Sequence, residues 1–487
     1  MKNKSIKLNA VLNSIKQLCQ VIFPLISIPY VSRVLGKVNY GKYNFSVSIV
    51  NYFSLIAALG IFNYAVVEGA RLRENKNDLS RFENEVFSIN VYSTIISYAI
   101  LALLLIFATK LRNYRLLILV NAFSIIFTTI GTDWVNSIFE DYAYITIRYI
   151  IFQGLSIVLL FIFVKNENDY LNYAIINSMS TICSNIANIF YIRKKYGAIH
   201  FARNCELKKH LKPILYLFFN TLAVTIYVNS DTTILGLLKG DGDVGIYSIS
   251  SKIYLVIKQV LNALVVVTLP RLSAYLGKGE NEKYKELLKK IKIYLITLVV
   301  PVVIGVLFFS RQLISIVGGE GYISGTISLQ ILSFSLLFAV LANYYSTCIL
   351  LPNRLEKICL YSSIISASLN VGLNFVVIPF FSYNGAAITT LVAEFTVYVI
   401  AKLHSQNLGD SPLSKRLFFS VIVGCGLEIM ICYFSATMIK NDILSILLGI
   451  IFSGIEYYFI LLIFDNPVVI QINNLIKDKA SMRKSRS

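Results

Sequence analysis

Histidine occurs three times in 487 residues, tryptophan once, and acidic residues only 26 times. His200, His210 and His404 share no ligand spacing, so no zinc centre is expected. The seven cysteines, at 19, 183, 205, 348, 359, 425 and 432, form no CxxC pair and fall in or near apolar segments. They read as small apolar residues rather than a disulfide or metal framework. No P-loop is present, so the chain does not hydrolyse ATP by itself, and no cofactor is expected. Charged residues make up 15%, too few for a soluble globular surface.

Apolar sequence is what the chain has in abundance: 56% hydrophobic residues and a mean hydropathy of +0.67. Fourteen segments are apolar enough to read as spans, at 10–32, 43–67, 85–108, 116–138, 146–164, 171–192, 214–236, 245–269, 293–309, 326–350, 358–380, 385–403, 417–438 and 444–464. Each bilayer crossing takes about 20 residues, so fourteen use roughly 280–320, leaving short loops and no room for a soluble catalytic domain. The expected fold class is an all-α polytopic membrane protein. The first apolar stretch lacks a small-residue cleavage site and continues into the polytopic pattern, so it reads as a span, not a removable signal.

The 45 lysines and arginines orient these spans. With the N-terminus inside, 30 of them fall in the tails and even-numbered loops, 10 in the outer loops and 5 in helices. Arg148 and Lys402, two of those five, sit at cytoplasmic helix ends. The asymmetry follows the positive-inside rule and places both termini in the cytoplasm. The net charge of +19 therefore reads as topology and contact with anionic membrane lipids, with no nucleic-acid partner.

Two basic loops, 193–213 and 404–416, divide the spans six, six and two. The expected domains are an N-terminal bundle at 1–205, a second bundle at 206–410, and two further helices with a basic tail at 411–487. A weak internal echo accompanies this division. Leu35-Gly36 and Gly41-Lys42-Tyr43 are answered by Leu235-Gly236 and Gly245-Ile246-Tyr247.

Polar residues interrupt several spans. Asn13, Lys16, Gln17 and Gln20 share one face of the first helix. Asn44, Ser48 and Asn51 follow in the second, Asn220, Tyr227 and Asp231 in the seventh, and Ser251, Lys252, Lys258 and Gln259 in the eighth. Ser363, Ser366, Asn370 and Asn374 repeat the pattern in the eleventh. A lysine at the bilayer centre costs about 2.5–3.5 kcal/mol, so these faces should meet one another or a wet cavity. The alternatives are plainer: amide and hydroxyl stripes that bond neighbouring helices, lysines that snorkel, and an Asp231 that only neutralises one of them. Asp133, beside Trp134, reads equally as an interface residue, and Glu428 and Glu456 as packing or pairing groups. A lysine-rich cavity suits an anionic cargo such as a pyrophosphate headgroup, and amides and tyrosines suit sugars.

The run Phe23-Pro24 through Ile28-Pro29-Tyr30-Val31-Ser32-Arg33-Val34-Leu35-Gly36, then Tyr40-Gly41-Lys42-Tyr43, resembles the N-terminal signature of bacterial polysaccharide repeat-unit flippases. These are the Wzx-type O-antigen and capsule translocases of the MOP superfamily. Asp231 with Leu235-Gly236, Val244-Gly245-Ile246-Tyr247-Ser248, Ser251-Lys252-Ile253, Leu269-Pro270-Arg271-Leu272-Ser273, and Tyr383-Asn384-Gly385-Ala386-Ala387 with Glu394 continue the likeness in order. The chain departs from the family at the end of the fourth helix, where it reads Trp134-Val135-Asn136 and Glu140-Asp141.

The resemblance implies two six-helix bundles in a V around a central cavity, plus two C-terminal helices. It also implies alternating-access transfer of undecaprenyl-pyrophosphate-linked oligosaccharide to the outer leaflet of a bacterial plasma (inner) membrane. Arg33, Asp231, Lys252 and Glu394 are the residues carried by matched motifs. Lys16, Lys252 and Lys258 are the expected pyrophosphate ligands. Asn13, Gln17, Gln20, Arg33, Asn51 and Asn220 line the cavity, and Asp231 and Glu394 are candidates for ion coupling. A polysaccharide polymerase and a chain-length regulator are candidate partners. The rival readings are a MATE-like multidrug exporter, a lipid II flippase and a polytopic polysaccharide polymerase. The last is disfavoured by an outer loop at 310–325 whose only acid is Glu320.

Overall fold

The computed structural model describes residues 6–202, 206–410, 412, 414–471 and 473, apart from the side chains of 6–8, 10, 207, 208 and 220. Its regular structure is entirely helical among the described residues. The expected tail beyond 473 and the side chain of Asn220 lie outside them.

Two compact units, Met1–Gly245 and Ile246–Ser487, make up the chain. The first contains α1 (Ile6–Ala58), α2 (Ile61–Leu72), α3 (Lys76–Phe107), α4 (Arg115–Gly131), α5 (Asp133–Ile138), α6 (Tyr142–Phe163), α7 (Tyr170–Lys195), α8 (Leu207–Leu238) and the first turn of α9 (Asp241–Val266). Here α1 packs on α3, α4, α6 and α8, while α7 packs on α4 and α6 and α2 on α3, α5 and α8. The second unit holds the rest of α9, α10 (Leu269–Gly277), α11 (Asn281–Phe308), α12 (Ser310–Val317), α13 (Thr326–Tyr344), α14 (Glu356–Ser405), α15 (Lys415–Met438) and α16 (Asp442–Ile463). There α13 packs on α11 and α14, and α15 packs on α11 and α16.

Helix ends follow local chemistry. Asn75 caps α3 by accepting from the Asn77 and Asp78 amides, Ser414 caps α15 and Asn441 caps α16. Inside α11, Pro301 has no N–H for the carbonyl of Thr297. The Tyr457 hydroxyl of α16 donates to that carbonyl instead, at 3.0 Å. Outward, the helices show large apolar side chains, among them Phe107, Val267 and Phe380 at 76, 79 and 81% exposure. Such a surface is at home against lipid tails.

Eleven helical stretches among the described residues are long and apolar enough to cross a membrane. The fourteen segments read from sequence differ from these by three. One stretch, Val11–Leu72, has 62 residues, about 93 Å of helix against a hydrocarbon core of about 30 Å. It leaves helical geometry at Gly36 (φ 65°), and α14 does so at Ser382 (φ 48°). Counting fourteen takes each as two spans and adds α7, whose hydropathy Asn172, Asn177, Asn185 and Asn188 lower.

The first compact unit ends at Gly245, with α8 packed on α1, and α15 and α16 belong to the second unit. Glycines of the internal echo make this contact close. A Cβ on Gly41 would sit 1.7 Å from the Asp241 carbonyl oxygen, one on Gly245 2.0 Å from that of Lys37, and one on Gly236 2.2 Å from the Phe45 ring. The Tyr114 hydroxyl donates to Asp241 Oδ1 at 2.5 Å beside this seam. Gly41→Ala should therefore lower stability in detergent by about 1–3 kcal/mol. Gly154→Ala, where nothing lies within 4 Å, should be neutral or stabilising by up to about 1 kcal/mol. Thermal melts followed by the single tryptophan, Trp134, check this; equal melting temperatures for the two variants contradict it.

Candidate functional site

In the first unit, a break between α4 and α5 builds a charged cluster near α1. Thr132 adopts the left-handed conformation (φ 44°), so α5 starts in a new direction at Asp133. Gly131, without a side chain, admits Asn185 of α7 where a Cβ would be 2.3 Å from its Oδ1. One turn on, Asn188 donates to the Gly131 carbonyl at 2.6 Å and to Asp133 Oδ1 at 2.9 Å. The same Asp133 oxygen accepts from Arg148 Nη2 of α6 at 2.5 Å. Arg148 is only 6% exposed, and among the described residues its Nε and Nη1 meet no carbonyl or carboxylate acceptor. Its guanidinium lies over the Tyr144 ring, itself stacked on Tyr191 with centroids 3.5 Å apart.

Lys16 of α1 is half-buried and lies in the electrostatic field of both Asp133 and Arg148. Two cations thus share one carboxylate. Below them, Asp141 is buried and accepts from Tyr191 (2.5 Å), Lys195 (2.5 Å) and Tyr196 (2.9 Å), fixing α7 against the start of α6. Burial draws the Lys195 ammonium down, but its bonds to Asp141 and Tyr191 outweigh this and hold it above the ordinary lysine value.

Farther along α1, polar residues meet α8. Asn51 donates to Asn229 Oδ1 at 2.9 Å, and Thr233 donates to Ser48 at 2.9 Å. Asp231, 5% exposed, lies within electrostatic range of Tyr52. Asn13 is half-buried, and Gln17, Gln20 and Arg33 are exposed.

In the second unit, Glu394 of α14 is 5% exposed and accepts from Tyr254 (2.9 Å) and from Lys258, both on α9. The Lys258 ammonium also lies over the Tyr254 ring, 5.5 Å from its centroid. Lys252, one and a half turns earlier on α9, is half-buried. The stripe expected in the eleventh helix bonds to the second half of α14. Ser366 donates to the Ala393 carbonyl at 2.9 Å, and Thr389 to Asn374 Oδ1 at 2.5 Å. Those residues join helices.

The structure thus brings Lys16 to Asp133 and Arg148, Asn51 to Asn229, and Lys258 to Glu394. Lys16 belongs to one unit, Lys252 and Lys258 to the other. Sequence reasoning assigned no site role to Arg148 because its position near a helix end suited the orientation rule. A signal was nevertheless present, in an arginine fifteen residues after an intramembrane aspartate.

Long apolar helices with charges paired in their interior define a multi-pass, all-α membrane protein. The polysaccharide biosynthesis protein family model matches residues 6–276, more than half of the chain, and the chain belongs to that family. A MatE model matches 217–376, as befits the MOP superfamily. The chain is 22% identical over 409 residues to the "Putative O-antigen transporter" of Escherichia coli (strain K12), covering 83% of this chain and 97% of that protein. It is 23% identical to the "Probable low-salt glycan biosynthesis flippase Agl15" of Haloferax volcanii, over 54% of this chain and 56% of that one. The structure of "Lipid II flippase MurJ, inward closed conformation" shares the fold. Its TM-score is 0.75 at 15% identity, over 93% of this chain and 99% of that one.

Glu394→Gln leaves Lys258, 22% exposed, without its counter-charge. It should cost about 2–4 kcal/mol of stability, as should Lys258→Met. Together the two changes should cost less than their sum by about 1–3 kcal/mol. A double-mutant cycle of melting temperatures measures this, and strict additivity rejects the pair as a stabilising unit.

Proposed function

We propose that this protein is a flippase for lipid-linked oligosaccharides. It carries repeat units on undecaprenyl pyrophosphate from the cytoplasmic to the outer leaflet of a bacterial plasma membrane by alternating access, with no chemistry performed on the cargo. Family membership and the names of the relatives support the cargo class. The observation that carries the reading at the residue level is the cluster of Lys16, Arg148 and Asp133. Two cations against one carboxylate leave an excess positive charge within the helices, and two Arg148 nitrogens meet no carbonyl or carboxylate acceptor among the described residues. Each buried donor left unsatisfied costs about 1–3 kcal/mol, which an anionic headgroup offsets on binding.

In the proposed cycle, Lys16 and Arg148 draw the pyrophosphate in at the basic, cytoplasmic end. The amide and tyrosine faces of α1 and α8 receive the sugars, and the lipid tail stays in the bilayer. In the second unit, Lys258 is held by Glu394, so it contributes less free charge than its sequence position suggests.

Drug export is the second reading, favoured by the MatE match. Deletion of the gene in its host separates the two. The expected result is loss of surface polysaccharide with unchanged sensitivity to cationic drugs; drug sensitivity with an intact glycan overturns the proposal. Lys16→Gln and Arg148→Gln, at wild-type protein levels, should each restore surface glycan about 10-fold less well than the native chain, as expected for losing one charge-assisted hydrogen bond. Full restoration by both removes the cluster from the site.

A further inference from the structure

At the start of α8 lies a second buried titratable cluster that the transport reading does not use. His210 is 2% exposed. Its Nε2 is 2.8 Å from Glu85 Oε2 on α3, and its Nδ1 is 2.7 Å from the Tyr64 hydroxyl on α2. The rings of Phe82 and Tyr64 stand edge-on to the imidazole, with centroids 5.7 and 5.8 Å away. Other charges stand around it among the described residues. Arg81 Nε donates to the second Glu85 oxygen at 3.0 Å, and Arg81 Nη2 to Glu206 at 3.1 Å. Glu68 on α2 lies in electrostatic range of the Tyr64 hydroxyl, while Lys209 and Lys212 on α8 are exposed.

The bonding pattern allows two protonation states in one set of heavy-atom positions. An ionised Glu85 only accepts, so Nε2 carries a hydrogen in both states. In the neutral imidazole, Nδ1 accepts from the Tyr64 O–H. When a proton from water forms an N–H bond at Nδ1, that N–H donates to the Tyr64 oxygen and the tyrosine hydrogen turns to another acceptor. Imidazole is the side chain whose ordinary titration falls between pH 5 and 8. A charged imidazolium beside Glu85 also draws the two helices together more strongly than a neutral ring does.

A proline interrupts the helix close to this cluster. Pro213 deprives the Lys209 carbonyl of its helical donor, weakening α8 just after His210. Beyond it, Ile214 is buried in the α2–α3–α5 core, and the turn at Gly60 meets α8 backbone to backbone, where a Cβ would be 2.8 Å from the Phe218 nitrogen. We propose that His210, Glu85 and Tyr64 form a proton-binding site that latches the start of α8 to α2 and α3, tightening when the proton is bound and loosening when it leaves. The site is separate from the Lys16–Arg148 cluster and stands whatever the cargo.

The chain has three histidines, so ¹⁵N-histidine NMR of the full-length protein in lipid nanodiscs resolves His210 directly, with loss of the signal in His210→Gln as the assignment. The expected result is an Nε2–H imidazole whose Nδ1 takes up a proton between pH 5 and 9. In Glu85→Gln the midpoint should fall by about one unit or more, a tenfold loss of proton affinity. Amide hydrogen exchange over 207–218 should be about 10-fold faster once the proton is lost. A His210 signal that does not titrate in this range, a midpoint unmoved by Glu85→Gln, or exchange that ignores the titration each overturns the latch. The wild-type titration does not depend on any variant folding.

Discussion

Lipid supplies no hydrogen-bond partners, and every other feature of this chain answers to that. A broken helix or a charge within the membrane has to be satisfied by the protein. The Thr297 carbonyl, freed by Pro301, takes the Tyr457 hydroxyl. Glu394 takes Lys258 and Tyr254. Asp133 takes Asn188 and Arg148. Once these are accounted for, the polar atoms left over become informative, because selection against an unsatisfied buried donor is strong unless something else comes to bond it.

The polar interruptions of the spans therefore divide by what they bond. Those of α14 and much of α7 join helices, with amides and hydroxyls spent on carbonyls and side chains across the interface. Lys16 and Arg148 are different, since they share one carboxylate and two guanidinium nitrogens meet no carbonyl or carboxylate acceptor among the described residues. Small residues do the opposite work. Gly41, Gly236 and Gly245 remove side chains where α1 meets α8 and the start of α9, turning a faint sequence echo into a close backbone contact.

Fold class and family were legible in the sequence because hydropathy and charge asymmetry act over long windows and survive local error. The packing of α8 on α1 was not, since it runs through glycines whose effect is visible only in three dimensions. Arg148 was missed for a related reason. Its position near a helix end matched the orientation rule, and nothing local shows that α5, redirected at Thr132, returns Asp133 to meet it. The partner of Lys258, Glu394, lies 136 residues away. Long-range pairing is what a single sequence hides most effectively.

Purified protein in liposomes, given an oligosaccharide on undecaprenyl pyrophosphate in one leaflet, tests the central claim most directly. Accessibility of the glycan to an external lectin reports its leaflet. The account predicts that the protein moves the glycan to the far leaflet well above the rate of empty liposomes. Movement no faster than in empty liposomes, by a protein that in the same vesicles transports an organic cation, would contradict it.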